Sequence, residues 1–263
     1  MTDLEGKAAI VTGGGTGLGA ATARGLAARG ANVVVNYSRS AEAAEATAAA
    51  CREAGVEAVA VQADVAVDAD CRRLVDDAVR AFGRLDILIN NAGITKPADQ
   101  TDLDALTPED FERLYRVNLI APYLMTRAAR SALEASGVGS VVMVSSVAGV
   151  TGVGSSTAYA ATKGALNTMT LSLARSLAPK IRVNAVCPGF IESGWFTKWN
   201  GAETEKFLSD VMKEQTPLKA ASTPEDIAGT ILFLASPQSA HMTGEHLLID
   251  AGMHLGYAPL KAR

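Results

Sequence analysis

The sequence predicts an α/β fold, a doubly wound parallel sheet of about seven strands with helices on both faces as α/β/α layers. Short runs of apolar, β-branched residues alternate with helix-like stretches along the whole chain. The runs mostly lack polar alternation, which is typical of strands buried on both faces. Small or polar residues follow the runs, as expected at the ligand-binding edge of such a sheet. We therefore expect one domain of the larger α/β kind over residues 1–263.

The predicted strands are the short apolar runs. They are Lys7–Val11, Ala31–Asn36, Val56–Gln62, Leu85–Asn90, Ser140–Val144, Ile181–Val186 and Leu247–Ile249. Because right-handed crossovers connect parallel strands, helices should cover both faces of this sheet.

The predicted helices lie between these strands. They are Ala20–Arg29, Ala41–Ala54, Asp68–Phe82, a long helix from Thr107 to about Ser136, Tyr159–Ala178 and a helix that starts at Thr223. The run Thr-Pro-Glu-Asp occurs at Thr107 and again at Thr223. It is typical of a helix start, with a capping threonine, proline in the first turn and acids near the N-terminus.

Composition argues against several classes of protein. The net charge is -4 and the charges are mixed, so we expect no nucleic-acid partner. No apolar run reaches about 18 residues, which argues against a membrane span. The N-terminus does not resemble a secretory signal, and a cytoplasmic enzyme is therefore expected. The 3 cysteines are widely spaced and the 3 histidines lack ligand spacing, so we expect neither disulfides nor a metal site.

A glycine-rich turn, Thr12–Gly19, lies between the first predicted strand and the first helix. Glycines let a backbone approach a pyrophosphate closely, and the N-terminus of the following helix favours negative charge. No Gly-Lys-Ser or Gly-Lys-Thr closes the turn, which argues against a P-loop for ATP. The position of the turn predicts a dinucleotide site.

The end of the second predicted strand indicates which dinucleotide is preferred. An acid about 20 residues after the glycine turn would bind the adenosine ribose and select NAD. Tyr37 holds that place, followed by Ser38 and Arg39, and no carboxylate appears before Glu42. Arg39 could pair with a 2′-phosphate or simply point into solvent. The pattern favours NADP(H), with NAD(H) as the alternative.

Tyr159 and Lys163 form the pair on which the catalytic hypothesis depends. Residues four apart on a helix share one face. A lysine ammonium there can lower the pKa of a phenol, which is normally about 10, and make it a usable acid or base. A lone pair of this kind is more often a surface tyrosine beside a solvated lysine, so the hypothesis needs further residues.

Four motifs together resemble the short-chain dehydrogenases/reductases, in their short single-domain subgroup. They are TGGGTGLG at Thr12–Gly19, NNAG at Asn90–Gly93, YAATK at Tyr159–Lys163 and the dipeptide Pro188-Gly189. The resemblance covers nearly the whole chain and is strongest to 3-oxoacyl-[acyl-carrier-protein] reductases and related sugar or alcohol dehydrogenases. It implies a Rossmann-type fold.

The resemblance also implies catalytic roles. Tyr159 would be the acid/base, and Lys163 would bind the nicotinamide ribose and lower the pKa of the phenol. Ser146 would hold the substrate oxygen, while Ser145 is the competitor that we expect to face the sheet. Asn118 would support a proton-relay water.

The residues implied for the cofactor lie at the ends of five predicted strands and on the helix that starts at Tyr159. They are Gly13, Gly15, Thr16, Gly17, Leu18, Gly19, Tyr37, Ser38, Arg39, Asp64, Val65, Asn91, Ala92, Gly93, Tyr159, Lys163, Pro188, Gly189, Ile191 and Ser193. Asp64 would contact adenine or only cap a turn. Asn90 would line the cofactor or tie loops together. Ser193 replaces the threonine of many members and would touch the carboxamide.

Residues 192–215 are expected to form a small lid over the substrate. Aromatic residues concentrate there, which suggests an apolar or ring-bearing substrate, unless they cover the underside of the lid or a subunit contact. The substrate residues expected are Ser146, Val147, Tyr159, Trp195, Phe196 and Trp199, with Phe207 also in the segment. An acyl carrier protein would need a basic patch, for which Arg127, Arg130 and Lys198 are candidates.

The expected activity is hydride transfer between NAD(P)(H) and a ketone or secondary alcohol, with a 3-oxoacyl thioester as the first candidate substrate. Sugar, cyclic-alcohol or steroid-type substrates are the alternative. A non-catalytic NADP-binding sensor or scaffold fits less well, because all four polar catalytic residues are retained. Small residues along the predicted helix Tyr159–Ala178 allow close helix packing, and the resemblance implies a homotetramer built through that helix and its predecessor.

Overall fold

The seven predicted strands form one parallel sheet in the computed structural model, which describes residues 3–195 and 197–256 without the side chains of residues 198–200. The strands are β1 Ala8–Val11, β2 Asn32–Tyr37, β3 Ala58–Gln62, β4 Ile87–Asn90, β5 Gly139–Val144, β6 Ile181–Pro188 and β7 His246–Ile249. Their spatial order is β3-β2-β1-β4-β5-β6-β7. The order reverses between β1 and β4, and ligands bind such sheets at this switch point, outside the carboxyl ends of the strands.

Helices cover both faces of the sheet, which confirms the predicted fold class. They are α1 Gly17–Ala28, α2 Ala41–Glu53, α3 Asp68–Phe82, α4 Pro108–Tyr115, α5 Ala121–Ala135, α6 Ala148–Thr151, α7 Thr157–Leu177, α8 Thr197–Gln215 and α9 Pro224–Ala235. One apolar core joins the sheet to α1, α2 and α9. A second core joins the opposite face to α3, α5 and α7. Strands buried on both faces explain the β-branched runs without polar alternation.

The long helix predicted from Thr107 is interrupted by a wider π-helical turn, Arg116–Ile120, between α4 and α5. The amide of Ala121 bonds the carbonyl of Arg116, five residues back. Pro122 supplies the physical reason: proline has no N–H to donate, and its ring would clash with the carbonyl four residues earlier. That carbonyl belongs to Asn118, so the local widening falls on a predicted catalytic residue.

Two helices were not expected from the sequence. The short α6 follows β5, and α8 lies within the segment predicted only as a lid. In α8 the helix is broken at Gly201, where φ is +80°. In addition, α1 starts at Gly17 and not at Ala20, because the glycine turn itself completes the first helical turn.

Small residues on α7 do bring another helix close, but that helix belongs to the same chain. A Cβ added at Gly149 of α6 would lie 2.5 Å from the carbonyl carbon of Lys163. Ala160 and Asn167, which belong to the predicted small-residue line, are buried within the protomer. The close approach expected for a partner helix is therefore used, at least in part, inside one chain.

Further findings concern the composition-based expectations. Cys51, Cys71 and Cys187 are buried and free. No helix among the described residues is long and apolar enough to cross a membrane. Within the same described part of the chain, no group of histidine, cysteine, aspartate and glutamate side chains is arranged to hold a metal ion.

Candidate active site

The glycine turn is fixed to the end of β2 by two hydrogen bonds. The amide of Gly14 donates to the carbonyl of Asn36 at 2.9 Å, and the amide of Gly13 donates to Oδ1 of the same residue at 3.3 Å. Gly13 and Gly17 have φ values of +61° and +51°, which favour glycine. At Gly15 a Cβ would lie 3.0 Å from the backbone of Ala44, so the turn also packs tightly against α2.

The N-terminus of α1 is suited to an anion. Its N-cap residue, Thr16, makes no capping hydrogen bond with its side chain, and the first turn contains no acidic residue. The first amides of a helix have no partner within the helix, and its dipole favours negative charge there. Leu18 buries its side chain in the core and so anchors the start of the helix. These features fit the pyrophosphate of a dinucleotide.

Asn91 supports the glycine turn directly. Its Nδ2 donates to the carbonyls of Thr12 at 2.8 Å and Gly13 at 3.1 Å. A Cβ at Gly19 would lie only 2.2 Å from the carbonyl oxygen of Gly13, so this position has no room for a side chain. The amides of Asn91 and Ala92 both donate to the hydroxyl of Thr12. The side chain of Asn91 thus ties β4 to the turn across the switch point.

The neighbouring Asn90 has a different role. It is buried, and its Nδ2 donates to the hydroxyl of Thr126 in α5 at 3.3 Å. Its side chain therefore connects β4 to α5. Of the two roles considered for Asn90, this is the structural one.

The end of β2 leaves Ser38 and Arg39 exposed, while Tyr37 packs partly against the core. Among the described residues, no carboxylate pairs with Arg39. Asp64, at the end of β3, accepts a hydrogen bond from the amide of Ala66 at 3.0 Å and therefore does cap a turn. That bond uses Oδ1, and Val65 beside it is buried in the second core.

Tyr159 and Lys163 lie near the N-terminus of α7, as predicted. Ser156 caps this helix through the amide of Tyr159, at 3.3 Å. The ammonium of Lys163 lies 5.7 Å from the centre of the Tyr159 ring and donates to the carbonyl of Val144 at 2.8 Å. The side chain of Ser146 interacts with the phenol and lowers its pKa. The end of β5 and one face of α7 thus bring the three predicted side chains together.

The pKa of the tyrosine differs from the sequence expectation. Among the protein's own groups, burial raises the pKa of Tyr159 to about 12, and the hydrogen bond from Ser146 only partly opposes this. The net shift of this pKa is therefore upward, opposite to the lowering expected from the sequence. Burial likewise lowers the pKa of Lys163 to about 8. Desolvation penalises the charged form of each group and is the largest cause of both shifts.

Asn118 is buried, and its side chain bonds the segment after β4. Its Oδ1 accepts from the amide of Ile94, and its Nδ2 donates to the carbonyl of Ile94, both at 2.9 Å. A Cβ at Gly93 would lie 3.4 Å from this Oδ1 and 3.8 Å from Nζ of Lys163. Gly93 therefore lies between Asn118 and Lys163. Because it has no side chain, a narrow space remains between these two residues.

Ser145 is separated from the reacting groups. Its hydroxyl donates to the carbonyl of Lys163 at 3.2 Å and so holds the backbone of α7. Ser146, one residue later, is the serine that meets the phenol, as expected. Its Oγ also accepts from the amide of Ala148 at 3.1 Å, which fixes the hydroxyl at the start of α6.

The segment after β6 completes the site. The carbonyl of Pro188 accepts from the amide of Val147 at 2.8 Å, and Val147 is buried. Gly189 packs against Asp250, where a Cβ would lie 2.8 Å from the aspartate Cβ. A Cβ at Gly17 would lie 3.3 Å from Cβ of Ser193. The predicted carboxamide residue therefore adjoins the glycine turn.

Ile191 precedes that serine in the same segment. It forms a parallel bridge with Ser222, and its carbonyl accepts from the hydroxyl of Ser193 at 3.4 Å. These two contacts fix the path of the chain from β6 into the lid.

The lid is only partly described. Trp195 is partly buried, and Phe207 is 65% exposed. The substrate prediction at Phe196 lies outside the described residues, as does the side chain of Trp199. Two carboxylates that the sequence did not single out, Glu192 and Glu205, bond other parts of the predicted lid. Nothing in the sequence distinguishes them from Glu203 and Glu214 in the same segment.

The proposed basic patch is largely neutralised by ion pairs. Arg127 pairs with Asp68 at 2.6 Å and lies over the ring of Tyr123. Arg130 pairs with Glu134 at 2.8 Å. The side chain of Lys198, the third candidate, lies outside the described residues.

Comparison with known proteins agrees with this geometry. The family model described as enoyl-(acyl carrier protein) reductase matches residues 13–254. The chain belongs to the short-chain dehydrogenases/reductases. A protein assigned as ketoacyl reductase 2 of the granaticin polyketide synthase of Streptomyces violaceoruber is 43% identical, covering 95% of this chain and 97% of that protein.

Two further relatives represent the curated enzymes and the solved structures. A 3-oxoacyl-[acyl-carrier-protein] reductase of Synechocystis sp. is 38% identical, covering 96% of this chain and 99% of the relative. A short-chain dehydrogenase of Burkholderia cenocepacia, solved in complex with NADP, is 36% identical. It has a TM-score of 0.85 and covers 95% of this chain and 98% of that one. As a member of this family, the enzyme interconverts a ketone and a secondary alcohol with NAD(P)(H).

The low pKa of Lys163 predicts how stability depends on pH. Between pH 8 and the usual lysine value of 10.5, the unfolded chain holds a proton that the native lysine has lost. The free energy of unfolding therefore rises with pH across this window. We expect the wild type to gain about 2 kcal/mol over Lys163→Met between pH 7.5 and pH 9.5, measured by urea unfolding.

The exposed Lys180 gives the control, because Lys180→Met removes a solvated ammonium and should keep the pH dependence of the wild type. Tyr159, whose pKa is raised to about 12, acts in the opposite direction only above pH 10 and stays outside the measured range. A parallel pH dependence in wild type and Lys163→Met would contradict the buried, easily deprotonated lysine.

Proposed function

We propose that the enzyme reduces the 3-oxo group of an acyl thioester with NADPH, and that Tyr159 is its general acid. The observation that carries this proposal is the contact of the Tyr159 phenol with the Ser146 hydroxyl beside the buried Lys163. Two hydroxyl groups directed at one place can bind one carbonyl oxygen. The names of two relatives, which act on ketoacyl or 3-oxoacyl groups, support the choice of substrate.

The roles of Ser146 and Tyr159 follow from the protons that they carry at neutral pH. When NADPH is bound, its nicotinamide supplies the hydride that forms the new C–H bond at the carbonyl carbon. The electron pair of the C=O bond moves to oxygen, where Ser146 stabilises the charge as it develops. Tyr159, which is protonated at neutral pH, donates its proton to that oxygen. In the oxidation direction the same phenol takes the proton back.

Lys163 completes this set of groups electrostatically. A cation 5.7 Å from the phenol ring stabilises the phenolate that remains after proton transfer. The ammonium acts in a buried site, 4% exposed, where charges interact more strongly than in water. Pro122 has no N–H, so the main-chain carbonyl of Asn118 lacks its α-helical partner. In this proposal, that carbonyl holds a water that returns the proton.

A ring-bearing ketone is the second candidate substrate. The partly buried Trp195 and the exposed ring of Phe207 favour it, because aromatic side chains in a lid can stack on a substrate ring. The same observation favours an apolar acyl chain less strongly, since a flexible chain needs no flat contact.

An assay of a small substrate panel tests the substrate and Tyr159 together. The panel contains an acetoacetyl thioester and a bicyclic aromatic ketone, each with NADPH, and a hexose with NADP+. We expect the thioester to give the highest kcat/KM and Tyr159→Phe to lower it by about 10²- to 10⁴-fold, the usual contribution of a general acid. NADPH binding, measured by nicotinamide fluorescence, should survive in the variant.

Each of the other outcomes has a definite meaning. A kcat/KM at least tenfold higher for the bicyclic ketone would replace the thioester proposal. Near-normal turnover in Tyr159→Phe would contradict the acid/base role. NADPH binding without turnover of any panel member would favour a sensor or scaffold.

We also propose that NADP(H) is preferred over NAD(H). Arg39 is exposed at the end of β2 and, among the described residues, has no carboxylate partner, while Tyr37 occupies the place of an NAD-selecting acid. The solved relative in complex with NADP supports this preference. Ser38, also exposed, offers a second hydrogen bond to a 2′-phosphate.

The variant Arg39→Ala should raise the KM for NADPH by about 10- to 100-fold, because a charge-assisted hydrogen bond is lost. The KM for NADH should stay within about twofold, since NADH has no 2′-phosphate for this contact. Arg80→Ala, an exposed arginine near the C-terminus of α3, is the matched control. Equal losses with both cofactors, or no loss with NADPH, would contradict the assignment.

The assembly that we propose is a homotetramer formed through α5 and α7. Leu171 on α7 is 49% exposed, and Ile120 and Tyr123 are exposed at the start of α5. Small side chains at Ala161 and Ala165 on the outer side of α7 would let a second copy approach closely.

Light scattering should therefore give four times the chain mass of 27.2 kDa. Leu171→Glu should dissociate this species, because a charge would then be buried against the partner. Leu103→Glu should not, since Leu103 is exposed outside these helices. A monomer at micromolar concentration would contradict the proposal.

A further inference from the structure

The carboxylate of Glu205 accepts several hydrogen bonds from the segment that links β6 to α8. Oε1 of Glu205 accepts from the amide of Gly194 at 2.7 Å. Oε2 accepts from the amide of Thr197 at 3.1 Å and also from the Thr197 hydroxyl. The amide of Ser193 contributes as well. Ser193, Gly194 and Thr197 thereby all bond a single side chain.

This arrangement needs an anion. The amides of Ser193, Gly194 and Thr197, directed at one point, form a concave site for negative charge. Burial raises the pKa of Glu205, but the bonds from Thr197, Gly194 and Ser193 lower it further, so its pKa lies below the ordinary value. The carboxylate is therefore ionised at neutral pH.

Local backbone geometry makes the anchor necessary. Gly194 has φ of +73°, and Gly201 interrupts α8 with φ of +80°. Glycine adds conformational freedom at both places, so packing alone fixes this segment weakly. Glu205 lies beyond the second glycine and bonds the chain on both sides of Trp195, which shortens the free length of the segment.

The anchored segment carries two residues of the proposed site. Ser193 lies against the glycine turn, as its 3.3 Å approach to the Gly17 Cβ position shows. Trp195 lies between the two points that Glu205 holds. A second carboxylate, Glu192, accepts from the Ser209 hydroxyl and from Lys213 at 3.3 Å, which ties the rest of α8 to the same segment.

We propose that Glu205 is a positioning residue that holds residues 193–195 and Thr197 in place over the bound cofactor and the carbonyl substrate. This inference rests on the proposed role of residues 192–215 as the lid of the substrate site. Glu205 touches no reacting atom in this scheme, because its carboxylate is used by the lid backbone. Its removal should therefore affect substrate binding more than the rate of turnover.

The chain has its own reporter for this segment. It contains only 2 tryptophans, Trp195 and Trp199, and both lie in the lid. Tryptophan fluorescence therefore responds to the lid alone, without any introduced label. Acrylamide quenching of this fluorescence measures how readily solvent reaches the segment.

The test compares Glu205→Gln and Glu205→Ala with Glu203→Gln, an exposed carboxylate on the same helix. We expect Glu205→Ala to raise the quenching constant about twofold and the KM for the best panel ketone about tenfold, with kcat within about threefold. Glu205→Gln keeps a carbonyl acceptor and should fall between Glu205→Ala and wild type. Glu203→Gln should match the wild type in both measurements.

A thermal midpoint within about 2 °C of wild type shows that the variants are folded, as expected for a side chain outside both apolar cores. If Glu205→Ala unfolds, the same comparison is made on Glu205→Gln, where a twofold smaller effect is expected. Wild-type quenching in a folded Glu205 variant overturns the proposed anchor. Equal changes in Glu203→Gln overturn it too.

Failure of the inference and failure of the proposed function give different results. Raised quenching with unchanged KM shows that Glu205 holds the segment while the segment does not cover the substrate, which overturns the positioning role and the proposed lid. A fall in kcat/KM that is entirely in kcat overturns it in favour of direct participation. The quenching measurement uses no substrate, so it stands whichever panel member the enzyme accepts.

Discussion

The hydrogen bond from Lys163 to the carbonyl of Val144, at 2.8 Å, is the contact on which the site depends. It joins the end of β5 to the catalytic face of α7. A second bond returns from the hydroxyl of Ser145 to the carbonyl of Lys163 at 3.2 Å. Because Ser146 follows Ser145 and Tyr159 lies one turn before Lys163, these two bonds set the distance between the serine and tyrosine hydroxyls.

A glycine in α6, Gly149, lets this helix pack closely against the junction between β5 and α7. The backbone of α6 approaches Lys163 so closely that Gly149 has no room for a Cβ. The lysine is then enclosed by β5, α6 and α7, with Gly93 and Asn118 on the remaining side. Enclosure desolvates both titratable groups, which raises the pKa of Tyr159 and lowers that of Lys163. The ammonium of Lys163 is then only weakly hydrated, so it interacts more strongly with nearby charge than it would in water.

Much of this arrangement could be predicted from the sequence. The strands are marked by β-branched runs, and a parallel sheet brings their polar carboxyl ends to one edge, so Thr12, Asn91, Ser146 and Gly189 could be placed together without coordinates. The resemblance to the family also favoured Ser146 over Ser145. These features depend on topology, which local patterns encode well.

Other features depend on contacts that no local pattern encodes. The sign of the pKa shift of Tyr159 depends on how completely the fold excludes water, and sequence spacing reported only the nearby lysine. The π-helical turn at Asn118 had a signal in Pro122, but that proline also fits the first turn of a new helix. Glu205 had no readable signal, because its partners are backbone amides that exist only once the lid has folded.

The site therefore joins two parts that are stabilised by different interactions. Around Lys163 the side chains are buried, and their hydrogen bonds end on backbone carbonyls of the sheet and α7. The lid, by contrast, is held by carboxylates near solvent, and such contacts contribute less to stability than buried ones. The proposed catalytic groups thus reside in the part of the molecule that is hardest to move. The residues proposed to select the substrate reside in the other part, where a few side chains can change without disturbing the junction between β5 and α7.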